Sequence, residues 1–111
     1  DVVYKIVPAD LWRVAEADGV FRGAPVDVRD GFIHLSTATQ IRETAARHFA
    51  GVEGLLLVSV ATDGLDILWE PSRGGDLFPH LYGNMPLSAV RKVEPLPLGP
   101  SGTHAFPPDI G

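Results

Sequence analysis

The stretch Asp30-Gly-Phe-Ile-His-Leu-Ser-Thr37 (DGFIHLST) decides how the rest of the chain is read. Phe32, Ile33 and Leu35 make it apolar enough for a buried strand over Phe32–Leu35, yet His34 sits inside it and Ser36-Thr37 closes it. Thr37-Ala-Thr-Gln40 matches a capping box, Thr followed by Gln at the third position after it. Behind it Ile41, Ala45, Ala46 and Phe49 recur on one helical face, and the helix is expected to end near Gly51. The histidine is then explained by a strand with one face in the core and the other on a cleft. The Ser-Thr pair is explained by the helix that follows.

Upstream, Val2–Val7 (VVYKIV) is short and β-branched and reads as a strand. Pro8 suits the first turn of a helix, Leu11, Val14 and Ala15 recur at helical spacing, and Gly19 is a stop. The spacing predicts a helix over Ala9–Ala17. Gly19–Arg29 reads mostly as loop. Downstream, Gly54–Ala61 (GLLLVSVA) is a continuous apolar run, expected to be a central strand. Leu65–Glu70 (LDILWE) is expected beside it, turned at Asp63-Gly64. Leu77–Tyr82 (LFPHLY) is strand-like, but Pro79 suggests an edge or a strand start. A turn over Pro86–Ala89 and a strand through Glu94 follow. From Pro95 the chain is dense in Pro and Gly and reads as an irregular tail. The organisation is one α+β domain over residues 1–95, with helices in the first half and mostly antiparallel strands, and a tail over 96–111.

Composition narrows the chemistry. The chain has 111 residues, 45% of them hydrophobic, enough for one domain with a real core. No apolar run approaches the roughly 20 residues of a membrane helix, and no secretory signal pattern opens the chain. There is no cysteine, which removes disulfides, thiolate metal sites and cysteine nucleophiles together. A cytoplasmic location is the expectation. The net charge of −5, with only Arg91-Lys92 adjacent among the bases, argues against nucleic acid as a partner.

The four histidines form no HxxH or HxxxH pair, so no metal site is expected. Neither a GxGxxG, a P-loop nor a GxSxG stands in the chain. His34 in FIHLS and His80 in FPHLYG remain as candidates. Each alone reads as readily as a solvent-facing or satisfied core residue. Together they mark the two most distinctive segments. Glu70 could serve as acid or base if it shares their cavity, or be an exposed strand end before Pro71. Lys5 is costly to bury unless paired, or lies in water on an edge strand. Tyr82 beside Gly83 is a turn residue or a ligand wall. Trp12, Phe21, Trp69 and Phe78 are expected in the core, His48 and His104 in solvent.

Tyr4-Lys5-Ile6, Trp12, DGFIHLST, Gln40, Leu-Trp-Glu70 and Phe-Pro-His-Leu-Tyr-Gly83 resemble a bacterial and plant family of small uncharacterised proteins, domain of unknown function nine-five-two. The likeness runs to about Val93. It implies an ADP-ribosylation-like fold, two small sheets packed across each other with a cleft between them. The His-Leu-Ser of the second strand is similar to a segment of the tRNA 2′-phosphotransferases. By that likeness His34 would face a nicotinamide ribose or a phosphate, Ser36 and Thr37 would shape the cleft wall, and Lys5 and His80 would hold the first-strand and late-strand positions. NAD would be a substrate rather than a resident cofactor. The chain departs from the transferase pattern in carrying Lys5 where histidine or arginine stands, and His80 where glutamate stands.

Two readings stand nearly level. One is an ADP-ribosyl or phosphotransferase-like enzyme using Lys5, His34, Glu70 and His80, with Ser36, Thr37 and Tyr82 at the ligand. The other is a module that binds a nucleotide or another small phosphorylated molecule without turnover. A structural or partner-binding protein ranks behind them.

Overall fold

The computed structural model describes residues 1–72 and 74–110. Its elements in chain order are β1 (Val2–Pro8), α1 (Ala9–Asp18), β2 (Val20–Phe21), α2 (Pro25–Asp30), β3 (Ile33–His34), α3 (Ile41–His48), β4 (Leu55–Ala61), β5 (Ile67–Ser72), β6 (Asp76–Leu81), β7 (Met85–Pro86), a 3₁₀ turn (Leu87–Ala89) and β8 (Val90–Leu96). The architecture is α+β, and every strand pairing is antiparallel. β1-β4-β8 form one sheet, β3-β6-β5 a second, and β2-β7 a short ribbon.

The first sheet is apolar on both faces, so it is covered on both. Val3 and Val7 lie opposite Val60 and Leu56, and pack with Trp12, Phe21, Ile33, Leu81 and Met85. On the reverse face Tyr4 and Ile6 join Leu55, Leu57, Leu96, Ile41, Ala45 and Ile110. Period-two alternation in β1 thus feeds two core layers. Lys5 belongs by parity to the Val3–Val7 face.

The two sheets are joined by the opening motif itself. β3 pairs with β6 at Ile33↔Leu81 and His34↔His80, and the Leu35 N–H donates to the Pro79 carbonyl at 3.0 Å. The return bond of that pair would need an N–H on Pro79, and proline has none. The chain leaves β6 there, and Ser36 exchanges both backbone bonds with Tyr4 of β1, at 2.7 and 2.9 Å. One short segment is therefore edge to two sheets.

Several expectations are corrected. Gly19–Arg29 is not mostly loop: it holds β2 and α2. Pro25 supplies the pre-set φ of a helix start, and Gly31 at φ 85° closes α2. Both signals are present in the sequence, but α2 has only six residues, too few for a periodic stripe. Leu65–Glu70 does not pair with the strand before it. β4 takes β1 and β8 as neighbours, and β5 lies in the other sheet. β6 is the centre of its sheet in spite of Pro79, because the missing donor falls where β3 is already departing.

The capping box is half made: Gln40 accepts the Thr37 N–H, but the Thr37 hydroxyl bonds Thr39, and the helix proper starts at Ile41. It ends at His48, short of Gly51. Trp69 is 46% exposed rather than core. His104, expected in solvent, is buried, with Nε2 bonded to the Val52 carbonyl at 2.8 Å. The segment after Leu96 is irregular but brings Phe106 and Ile110 against the reverse face of the first sheet.

Candidate functional site

α2 and the turn after it build the site around Asp27. Its side chain is 1% exposed. Oδ2 accepts the Ala24 N–H at 2.7 Å, and both carboxylate oxygens meet Lys5 Nζ, at 3.1 and 3.0 Å. Oδ1 also accepts the His34 backbone N–H at 3.0 Å and stands 2.7 Å from His34 Nδ1. Gly23, at φ 116°, leaves the room for this: a Cβ there would meet the Asp27 Cβ at 2.9 Å.

The His34 N–H is available because of strand parity. The Leu35 bond to Pro79 makes His34↔His80 the non-hydrogen-bonded pair, so the His34 N–H points away from β6 and towards α2. The same parity brings the two imidazoles together. Their ring centres lie 5.6 Å apart, edge to face. Phe32 stacks on His80 at 4.1 Å and touches His34 at 4.5 Å and Tyr82 at 5.3 Å.

A second carboxylate backs the second ring. His80 Nδ1 is 2.7 Å from Glu70 Oε1, which also accepts the Tyr82 hydroxyl at 2.8 Å. Glu70 reaches across from β5 because Leu68 pairs with His80 and Glu70 lies two residues on, on the same sheet face. A third carboxylate, Asp30, places Oδ2 3.1 Å from His34 Nε2 and is held by Arg29 Nε at 2.9 Å.

Burial works against both charges of the hidden pair. It lowers the Lys5 pKa, with Asp27 opposing that shift. In Asp27 burial pushes the pKa up, but the His34 ring, the Lys5 charge and two backbone N–H groups outweigh it, and the value falls to about 2. Glu70 is held below its usual range by the His80 and Tyr82 hydrogen bonds, and Tyr82 is raised by Glu70. Nδ1 is engaged in each ring, and in His34 Nε2 also meets a carboxylate, that of Asp30.

Of the residues expected from the sequence, Lys5, His34, Glu70, His80 and Tyr82 join this one cluster. Lys5 does so only through Asp27. Ser36 and Thr37 do not. The Ser36 hydroxyl bonds Thr44 of α3 at 2.9 Å, and Thr37 lies at the start of the turn into that helix. Sequence reasoning missed Asp27, Asp30 and Phe32. The signal for Asp27 was Pro-x-Asp at the start of a helix, where an acidic side chain at the third position accepts a free backbone N–H.

Two surface pockets, of about 260 and 310 Å³, lie on the other side of the first sheet, one beside Tyr4 and Lys92 and one between α3 and Phe106. Neither includes a member of the cluster, and the chemistry of the clustered side chains is the stronger indicator of a site. Among the described residues no group of metal-ligating side chains is assembled, and no helix is long and apolar enough to cross a membrane.

Comparison with solved structures places this fold beside protein CC0527 of Caulobacter crescentus. Its crystal structure is 43% identical, matches 95% of this chain and 94% of that one, and superposes with a TM-score of 0.90. The solution NMR structure of the same protein is 44% identical, matches 92% and 90%, and gives 0.83. Comparison with curated proteins returned no match. The family model for proteins of unknown function DUF952 matches residues 6–93, from the middle of β1 into β8, and the chain belongs to that family.

Proposed function

We propose that the chain binds a nucleotide of the NAD or ADP-ribose type at the His34–His80 cluster and acts on it by acid–base chemistry. One observation carries the reading: two adjacent imidazoles, each with a carboxylate on Nδ1, sit at the seam of two sheets. A carboxylate on Nδ1 fixes the orientation of each ring. The order β1, α1 and then, past β2 and α2, β3 running into Ser36-Thr37 and α3 supports an ADP-ribosylation-like fold, in which the nucleotide takes such a seam. In this reading Glu70 serves the ribose hydroxyl, the role of the late-strand glutamate that the chain lacks. Phe32 and Tyr82 offer aromatic surface to a base or nicotinamide ring. Lys5 acts by holding Asp27 ionised, and His80 with Glu70 is the acid or base.

The test is an NMR titration of ¹⁵N-labelled protein with NAD, ADP-ribose and nicotinamide, following Lys5, His34–Thr37 and His80–Gly83. Saturable shifts in all three segments, absent in His80→Gln, are expected. Shifts confined to other segments, or none at millimolar ligand, overturn it. Binding without nicotinamide release would assign the module reading in place of the enzyme.

A further inference from the structure

We propose that Asp30 occupies the seat of a ligand oxyanion, formed by His34 Nε2 and the Arg29 guanidinium, and must swing out for a phosphate or carboxylate group to enter. The inference rests on the site assigned under Proposed function and names the group that the site receives.

The geometry is that of a bound anion. One carboxylate oxygen of Asp30 accepts from Arg29 Nε at 2.9 Å. The other lies 3.1 Å from His34 Nε2 and 3.5 Å from Arg29 Nη2. A guanidinium and an imidazole ring protonated on both nitrogens, converging on a planar pair of oxygens, form the arrangement that recognises carboxylate or phosphate. The donors are held unequally. His34 is fixed from behind by Asp27, through both Nδ1 and its backbone N–H. Apart from His34, Asp30 is held only through an exposed partner: its side chain is 32% exposed, that of Arg29 is 72% exposed, and exposed ion pairs hold weakly. Asp30 also ends α2, where Gly31 turns the chain at φ 85°.

The electrostatics require such a movement. Asp27, Glu70 and Asp30 surround the two rings, and Lys5 is already committed to Asp27. With Asp30 in place the cluster repels an incoming anion. With Asp30 displaced, Arg29 and His34 face the ligand, and the Asp27 charge is balanced by Lys5. The carboxylate therefore fills the seat when it is empty of ligand and sets a threshold for occupancy.

The experiment compares the full chain with Asp30→Asn and, as a general charge control, Asp63→Asn in the exposed turn after β4. Inorganic phosphate and acetate are titrated separately at fixed ionic strength and pH. The readouts are the His34 ring nitrogens, the Arg29 Nε–H signal and the Gly31–His34 amides. The expected result is phosphate binding roughly tenfold tighter in Asp30→Asn than in the parent chain, since losing one charge-assisted competitor is worth about that factor. The shifts should centre on Arg29 and His34 and vanish in Asp30→Asn/His34→Gln. Asp63→Asn should match the parent. Tightening by acetate alone would assign the seat to carboxylates, and by phosphate alone to phosphate esters. Equal affinity in parent and Asp30→Asn, or equal tightening in Asp63→Asn, overturns the proposal. NAD shifts at His80 and Tyr82 that ignore Asp30 would leave the nucleotide reading standing without this seat. A seat that takes phosphate while NAD and ADP-ribose bind nowhere would do the reverse.

Discussion

The two histidine–carboxylate pairs are built from the same chemical groups and turned opposite ways. In Asp27–His34 the carboxylate is hidden, at 1% side-chain exposure, and the ring is a third exposed. In Glu70–His80 the ring is hidden, at 7%, and the carboxylate is 36% exposed. The difference follows from the element that supplies each carboxylate. Asp27 comes from a short helix folded under β3, so its charge can be satisfied only by protein donors, and it has Lys5, two backbone N–H groups and the ring. Glu70 comes from an edge strand with water beside it. One pair therefore has its charge sealed inside the fold, and the other keeps its carboxylate at the surface.

The largest effect should come from breaking the hidden pair. Asp27→Asn removes the charge opposite a buried lysine and leaves Lys5 without its counter-ion. Loss of one partner of a buried pair costs about 3–5 kcal/mol, to be read from urea unfolding. A loss comparable to that of an exposed surface pair would erase the contrast. Acid provides the same break more gently. The Asp27 value in the folded chain, about 2, lies below its ordinary 3.8. Its contribution is therefore complete above the unfolded value and disappears as pH falls through the folded one. The expected loss is about 2 kcal/mol between pH 5 and 2. It should be absent from the pH profile of Asp27→Asn.

Gly31→Ala acts on the turn that ends α2 and leads into His34. The residue has φ 85° and a Cβ there would meet open space, so strain comes from the backbone alone. A destabilisation of about 1 kcal/mol is expected, with His34 ring signals disturbed and those of His80 kept. An unchanged His34 would mean that α2 does not set the hidden pair. Glu70→Gln is the mildest change. The unfolding midpoint should stay with the parent, while the Tyr82 hydroxyl, raised by Glu70, returns towards its ordinary value in a ¹³C-detected titration. A large fall in the midpoint would show that the second pair is also part of the fold.

Much of this was legible in the chain itself. β1, α1, β4 and β8 carry local signals strong enough to stand alone: β-branched runs, a helical stripe closed by Gly19, an apolar run between glycines. His34 and His80 stood out because a polar ring in an apolar strand is locally inconsistent, and such conflicts gather at sites. What the chain determined by itself was therefore the kind of elements, the α+β class and five members of the cluster.

Tertiary structure decided the rest, because those features depend on pairings distant in sequence. β2 and β7 have two residues each and exist only through one another. Nothing local tells β5 to leave β4 and join β6. Asp27 lies 22 residues from Lys5, and only the meeting of α2 with β1 makes it the counter-ion. Trp69 shows the limit from the other side: aromatic character predicts burial, but its strand is the edge of its sheet, and solvent reaches it. Hydrophobic periodicity indicates the kind of element, but not always its buried face: in α1 Val14 of the stripe is exposed and Trp12 beside it is buried. Which partner an element is buried against depends on the packing of the whole chain.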